Sequence, residues 1–117
     1  MRNKFESLEV WKKSHNLTLE IYKTTRVFPT DEKFRLGDQI RRSVASVPTN
    51  IVEGSSRSHI KEFKQFLNMA KASLEETKYH LLLAFDLGYL DEKSYEKLQT
   101  DSEEVGRMLS GLTKSLK

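Results

Sequence analysis

At 117 residues, with 20 Lys/Arg against 17 Asp/Glu and no cysteine, the chain suits one domain over residues 1–117 and excludes disulfides, thiolate metal sites and cysteine nucleophiles. The opening MRNKFESLEVWKK has no apolar run like that of a signal peptide, and no window approaches the roughly 20 apolar residues of a membrane span. A cytoplasmic, all-α protein is therefore expected, because 32% of the residues are charged, only two are proline, and apolar residues recur at three and four throughout.

The net charge of +3 is small but uneven. Residues 1–78 hold fifteen Lys/Arg against ten Asp/Glu, and residues 79–117 hold five against seven. The basic excess thus falls in the first three helices, and it matters electrostatically only where it gathers on one surface.

After a short irregular lead over residues 1–6, a first helix is expected over about 8–25. Val10, Ser14, Leu17 and Ile21 form its inner row, with Trp11, Thr18 and Tyr22 beside them. Phe28-Pro29 breaks the pattern, and Thr30-Asp31-Glu32 supplies an N-cap candidate and early acidic residues for a second helix over 31–56. In that helix Leu36, Ile40, Val44, Val47 and Ile51 make one wall of a core, and Arg41, Ala45, Pro48 and Val52 make a second row beside it. Pro48 lacks the N–H that would bond the Val44 carbonyl, so one helix kinked near Pro48 is expected. Gly54-Ser55-Ser56 ends it or loosens its last turn.

The third helix, over 59–87, carries Ile60, Phe63, Leu67, Ala70, Leu74, Thr77, Leu81 and Ala84 in unbroken three-and-four alternation. Gly88 is its expected C-cap, with Tyr89-Leu90 folding back. Asp91, Glu92 and Ser94 open a fourth helix over 92–115 with Tyr95, Leu98, Ser102, Val105, Leu109, Leu112 and Leu116 inside. Gly106 and Gly111 each weaken it by about 1 kcal/mol relative to alanine, and permit either close helix approach or fraying. Short connections between these helices make an antiparallel up-down-up-down four-helix bundle with crossings near ~20°.

Nothing in the chain has the geometry of a catalytic or metal site. No glutamate has a histidine three positions later, and His15, His59 and His80 are scattered over two helices. No phosphate-cradling glycine loop or serine elbow is present. No catalytic residue, metal or cofactor is assigned. The informative feature is a row on the third helix. Arg57, Lys64, Lys71 and Lys78 repeat every seven residues with Lys61 nearby, and along the same flank come Leu82, Phe85 and Tyr89. A line of cations suits phosphate, yet it equally suits a solvated face steadied by Glu75 to Lys78 and Glu53 to Arg57 pairs. Arg41 and Arg42 point about 100° apart, and Asp38 is spaced to pair with either. The flanks carrying Ala45 and Val52, and Leu82, Phe85 and Tyr89, fit burial in a monomer or self-association.

The segments QIRRSVASVPTNIVEGSSR, EFKQFLNMAKASLEET and LGYL, preceded by FESLEVWKKSHNLTLEIYKTTRVFP, resemble the four-helix-bundle proteins encoded in intervening sequences of bacterial 23S ribosomal RNA genes. The likeness runs from Phe5 to about Leu90, with Ala72 standing where the pattern has glycine. Relatives of that family include the accessory variability determinant of diversity-generating retroelements, a barrel-like pentamer associated with nucleic acid and a reverse transcriptase. The resemblance implies a bundle, a ring-shaped homo-oligomer, and a basic surface to which Arg41, Arg42 and Arg57 contribute. The expectation is a non-enzymatic, oligomeric accessory protein binding RNA or DNA electrostatically, with little sequence selectivity, through Arg41, Arg42, Arg57, Lys61, Lys64, Lys71 and Lys78. The alternative is a scaffold that docks an acidic protein partner such as a reverse transcriptase.

Overall fold

The computed structural model describes residues 3–117. Four long helices account for most of them: α1, Glu9–Thr25; α2, Leu36–Ser55; α3, Ile60–Asp86; and α4, Glu92–Ser115. The described residues contain no strand. Each helix packs against its chain neighbours, most extensively α2 against α3, and α1 closes the arrangement against α4.

Side-chain pairs between the helices give their directions. Thr18 of α1 reaches the Val44 carbonyl of α2 while Thr25 meets Arg41, so numbers rise along α1 as they fall along α2. Ser43 and Ser46 of α2 lie 2.8 Å from Thr77 and Ser73 of α3 in the same opposed sense. Gln99 of α4 donates to the Lys78 carbonyl, and a methyl placed on Gly106 would meet Leu74. The bundle is antiparallel throughout, and at 44 Å its long dimension is close to the length of α3.

The inner rows read from periodicity converge on one core. Val10, Leu17 and Ile21 meet Ile40, Val44, Val47 and Ile51, then Leu67, Leu81, Leu98, Val105 and Leu109, all buried. Ser14, Thr18, Thr25, Thr77 and Ser102 are buried there as well, and each hydroxyl reaches a carbonyl one turn back on its own helix. That bond removes the desolvation penalty an unpaired hydroxyl would carry. In the first turn of α3 Ile60 is exposed, while Phe63 is half-buried and packs against the core.

Two boundaries differ from the sequence expectation. Residues 4–7 form a turn of 3-10 helix rather than an irregular lead, and Phe5 packs edge-on against Trp11 at 5.0 Å. The acidic run at Thr30 does begin a helix, but it lasts one turn, Thr30–Lys33, and Phe34 and Arg35 separate it from α2. Its physical reason lies in Arg41. The guanidinium reaches back to the Lys33 carbonyl, to the Asp38 carboxylate and to Thr25 Oγ1 at 2.8 Å. A carbonyl that would otherwise continue a helix is satisfied by a side chain instead.

α2 runs unbroken through Pro48, which is buried. The Val44 carbonyl that proline cannot serve lies 3.3 Å from Thr18 Oγ1, a hydroxyl that also bonds the Ser14 carbonyl at 2.8 Å. α3 ends as its sequence requires. Gly88 takes φ +86°, its N–H bonds the Phe85 carbonyl, the Tyr89 N–H bonds the Ala84 carbonyl, and Leu90 turns into the core. At the start of α4, Asp91 accepts the Ser94 N–H at 2.7 Å, and this bond holds its carboxyl below the usual aspartate range.

Candidate functional site

The cations singled out in the sequence do not share one surface. Lys71 and Lys78 form one wall of an open groove between α3 and α4, of about 710 Å³, together with Leu74 and Glu75. Lys64 precedes Lys71 by two turns on the same helix face and is half-buried. Lys61 is exposed and turned about 80–100° around the helix from Lys71 and Lys78. Arg57 precedes α3 altogether and lies over the Phe66 ring, 4.7 Å from its centroid. Arg42 is exposed on a separate groove between α2 and α3, beside Ser46, Ser73 and Glu76. Arg41 is committed to Thr25, Lys33 and Asp38, with only 16% of its side chain exposed.

The opposite wall of the α3–α4 groove belongs to α4, and there the structure adds two cations that the sequence reading passed over. Arg107 and Lys114 are exposed and line it. Between the walls, Ser102, Gly106, Ser110 and Gly111 keep the floor low. The register set by Leu74 beside Gly106 and by Gln99 on the Lys78 carbonyl puts Lys71 level with Arg107 and Lys64 level with Lys114. It also puts Glu75 level with Glu103. The groove therefore carries one basic rung, Lys71 with Arg107, next to an acidic one; about 10 Å further along at the helical rise a second basic rung stands at its end, where Lys114 lines the groove and Lys64 continues the α3 row beyond the lining residues.

The ion pairs follow the same division. Lys78 is 3.6 Å from Glu75 on its own helix, beside the acidic rung. Lys64, Lys71, Arg107 and Lys114 make no ion pair with any described residue. The signal for the α4 cations was in the sequence, since Arg107 and Lys114 are also seven apart. It was masked by the acidic balance of the last third of the chain, part of which lies on other faces of α4. Lys97 pairs with Asp101, and Glu104 with Lys13 of α1.

The apolar candidates are also divided. Phe85 stacks on Tyr95 of α4 at 4.6 Å, and Tyr89 meets Phe28 at 5.7 Å, so both rings are partly covered within the chain. Leu82 is 40% exposed. Ala45 and Val52 are half-buried on α2. The three histidines stay apart: His15 stacks on Trp11, His59 occupies the N-cap position of α3 without a side-chain cap bond, and His80 is buried with Nδ1 unbonded.

The family profile of the 23S rRNA-intervening sequence protein matches residues 6–111. The chain belongs to that family. Its fold is similar to the crystal structure of a protein of unknown function from the S23 ribosomal protein family of Bacteroides thetaiotaomicron, at 29% identity and a TM-score of 0.84 over 91% of this chain and 99% of the other. Comparison with curated proteins gives no match. The shared bundle extends to α4, past the segments that carry the resemblance in sequence. No helix of the described residues is long and apolar enough to cross a membrane.

Proposed function

We propose that this member of the 23S rRNA-intervening sequence family is a non-enzymatic accessory protein that binds nucleic acid electrostatically and acts in the cytoplasm as a homo-oligomer. The observation that carries the reading is the pair of basic rungs, Lys71 with Arg107 inside the groove and Lys114 at its end level with Lys64 of the same α3 row, four cations with no ion pair to any described carboxylate. Each phosphate neutralised by such a cation releases counterions and adds affinity without regard to base sequence. The association of the family with ribosomal RNA genes supports RNA as the partner. Arg41 is left out of this surface because its bonds are internal, and Arg42, Arg57 and Lys61 add only to the wider positive field.

Binding of fluorescent mixed-sequence RNA and DNA across a salt series tests the proposal. Four neutralised phosphates give a slope of log affinity on log salt of about −3 to −4. The combined Lys64→Gln, Lys71→Gln, Arg107→Gln and Lys114→Gln variant loses most of that slope. No binding at low salt, or binding indifferent to the four substitutions, rejects the site. A nuclease-resistant complex with an acidic protein through the same residues would instead favour the scaffold reading.

A further inference from the structure

We infer that the α3–α4 groove selects the phosphodiester ridge of a double helix over a single strand, an inference that rests on the nucleic-acid reading above and adds the form of the ligand. Non-specific single-strand sites combine a basic track with aromatic rings on which unpaired bases stack, each stacked base contributing about 1–3 kcal/mol. The α3–α4 groove has the first component and lacks the second. Its walls and floor are Lys, Arg, Glu, Leu, Ser and Gly, with no aromatic side chain among the lining residues.

The aromatic rings that could serve are engaged or elsewhere. Phe85 and Tyr95, on the same two helices, stack on each other. Tyr79 is 59% exposed but does not line the groove, and the exposed Tyr22 and Phe34 belong to α1 and to the connection before α2. An unpaired strand laid over the rungs would therefore meet cations alone. A duplex needs no stacking partner, because its bases are already stacked on one another. It also presents the denser charge, with a counterion-release slope of about −0.9 per phosphate against about −0.7 for single strands. The facing cations stand on helices whose axes are about 8–10 Å apart, so a backbone running between them is neutralised from both sides. Glu75 and Glu103, level with each other next to the rung of Lys71 and Arg107, bound the contact at that end.

The test compares four probes of equal length at matched salt: duplex RNA, duplex DNA, oligouridylate and oligothymidylate. The wild type is expected to bind at least one duplex ten-fold or more tightly than either single strand, and the RNA and DNA arms tell which backbone form it takes. That preference should disappear in the four-fold glutamine variant and persist in a Lys12→Gln, Lys97→Gln variant, which removes exposed cations outside the groove and controls for loss of charge alone, with circular dichroism on all three proteins. Equal or tighter binding of single strands overturns the inference while leaving nucleic-acid binding intact. A duplex preference that survives loss of the rungs overturns the assignment to this groove. Absence of binding to all four probes overturns the function itself.

Discussion

Glycine and arginine have roles at Gly54 and Arg41 that their neighbours in sequence do not announce. A Cβ at Gly54 would stand 2.7 Å from Phe66 Cβ and 2.8 Å from Phe63 Cδ1, closer than carbon atoms approach, so the end of α2 and the start of α3 can meet only over a hydrogen atom. Gly106 is different, since its Cβ would meet Leu74 Cδ2 at an ordinary 3.4 Å, and Gly111 faces open space. Close approach, entertained for the two α4 glycines, belongs to Gly54. Overpacking costs about 1–3 kcal/mol and the helix propensity of alanine returns about 1. Gly54→Ala is therefore expected to lower the urea midpoint, whereas Gly106→Ala raises it or leaves it unchanged; stabilisation by Gly54→Ala would contradict the packing described. Arg41 illustrates the converse: a row of arginines in a basic segment suggests a surface, but this one side chain closes the connection between α1 and α2.

The helices as elements show how a local defect is repaired by a neighbour. Pro48 removes one backbone donor from α2, and the carbonyl it strands at Val44 is met by Thr18 of α1. A buried carbonyl without a partner costs about 1–3 kcal/mol. Thr18→Val should accordingly destabilise the protein more when Pro48 is present than in a Pro48→Ala background, where the restored backbone N–H can bond the Val44 carbonyl within the helix. A double-mutant cycle by chemical denaturation measures this coupling; additive costs would show that Thr18 serves only its own Ser14 carbonyl. The α2–α3 seam, the most extensive in the bundle, adds polar contacts beside the rows that three-and-four counting marks. Ser43 and Ser46 meet Thr77 and Ser73 through hydroxyl contacts of 2.8 Å, and Asn50 donates to Ser46 Oγ within α2 at 3.0 Å. Small polar residues were legible one by one, but their pairing across helices 27 to 34 positions apart was not.

For the whole molecule, the two apolar flanks fall on different sides of the bundle. The α2 row of Ala45 and Val52 runs beside α1, to which Arg41 of the same row is bonded, and the α3 row of Leu82 and Phe85 runs beside α4, where Phe85 meets Tyr95. Contact between unlike patches is heterologous, and it closes into a ring when the rotation between copies permits. This supports the proposed homo-oligomer, a pentamer by the resemblance. Light scattering after size-exclusion chromatography should give a discrete multiple of the 13.6 kDa chain. Val52→Glu and Leu82→Glu should each reduce it, and the two singly blocked variants mixed together should form pairs through the one intact interface. A monomeric wild type at micromolar concentration would remove the ring from the proposal.

Sequence alone determined the four helices, the capping at Gly88 and Asp91, the inner rows and the family, because helix periodicity, glycine's access to positive φ and side-chain capping are properties of a few consecutive residues. It also identified Lys64, Lys71 and Lys78 as sharing a face, since residues seven apart lie two turns along one helix. Only the tertiary structure decided which cations are free: it drew Arg41 inward, set Arg42 and Arg57 on other surfaces, and brought Arg107 and Lys114 opposite the lysines of α3. Charge on one helix acquires a counterpart on another only through the register in which the two pack, and that register is fixed by contacts such as Leu74 with Gly106, which no local pattern encodes.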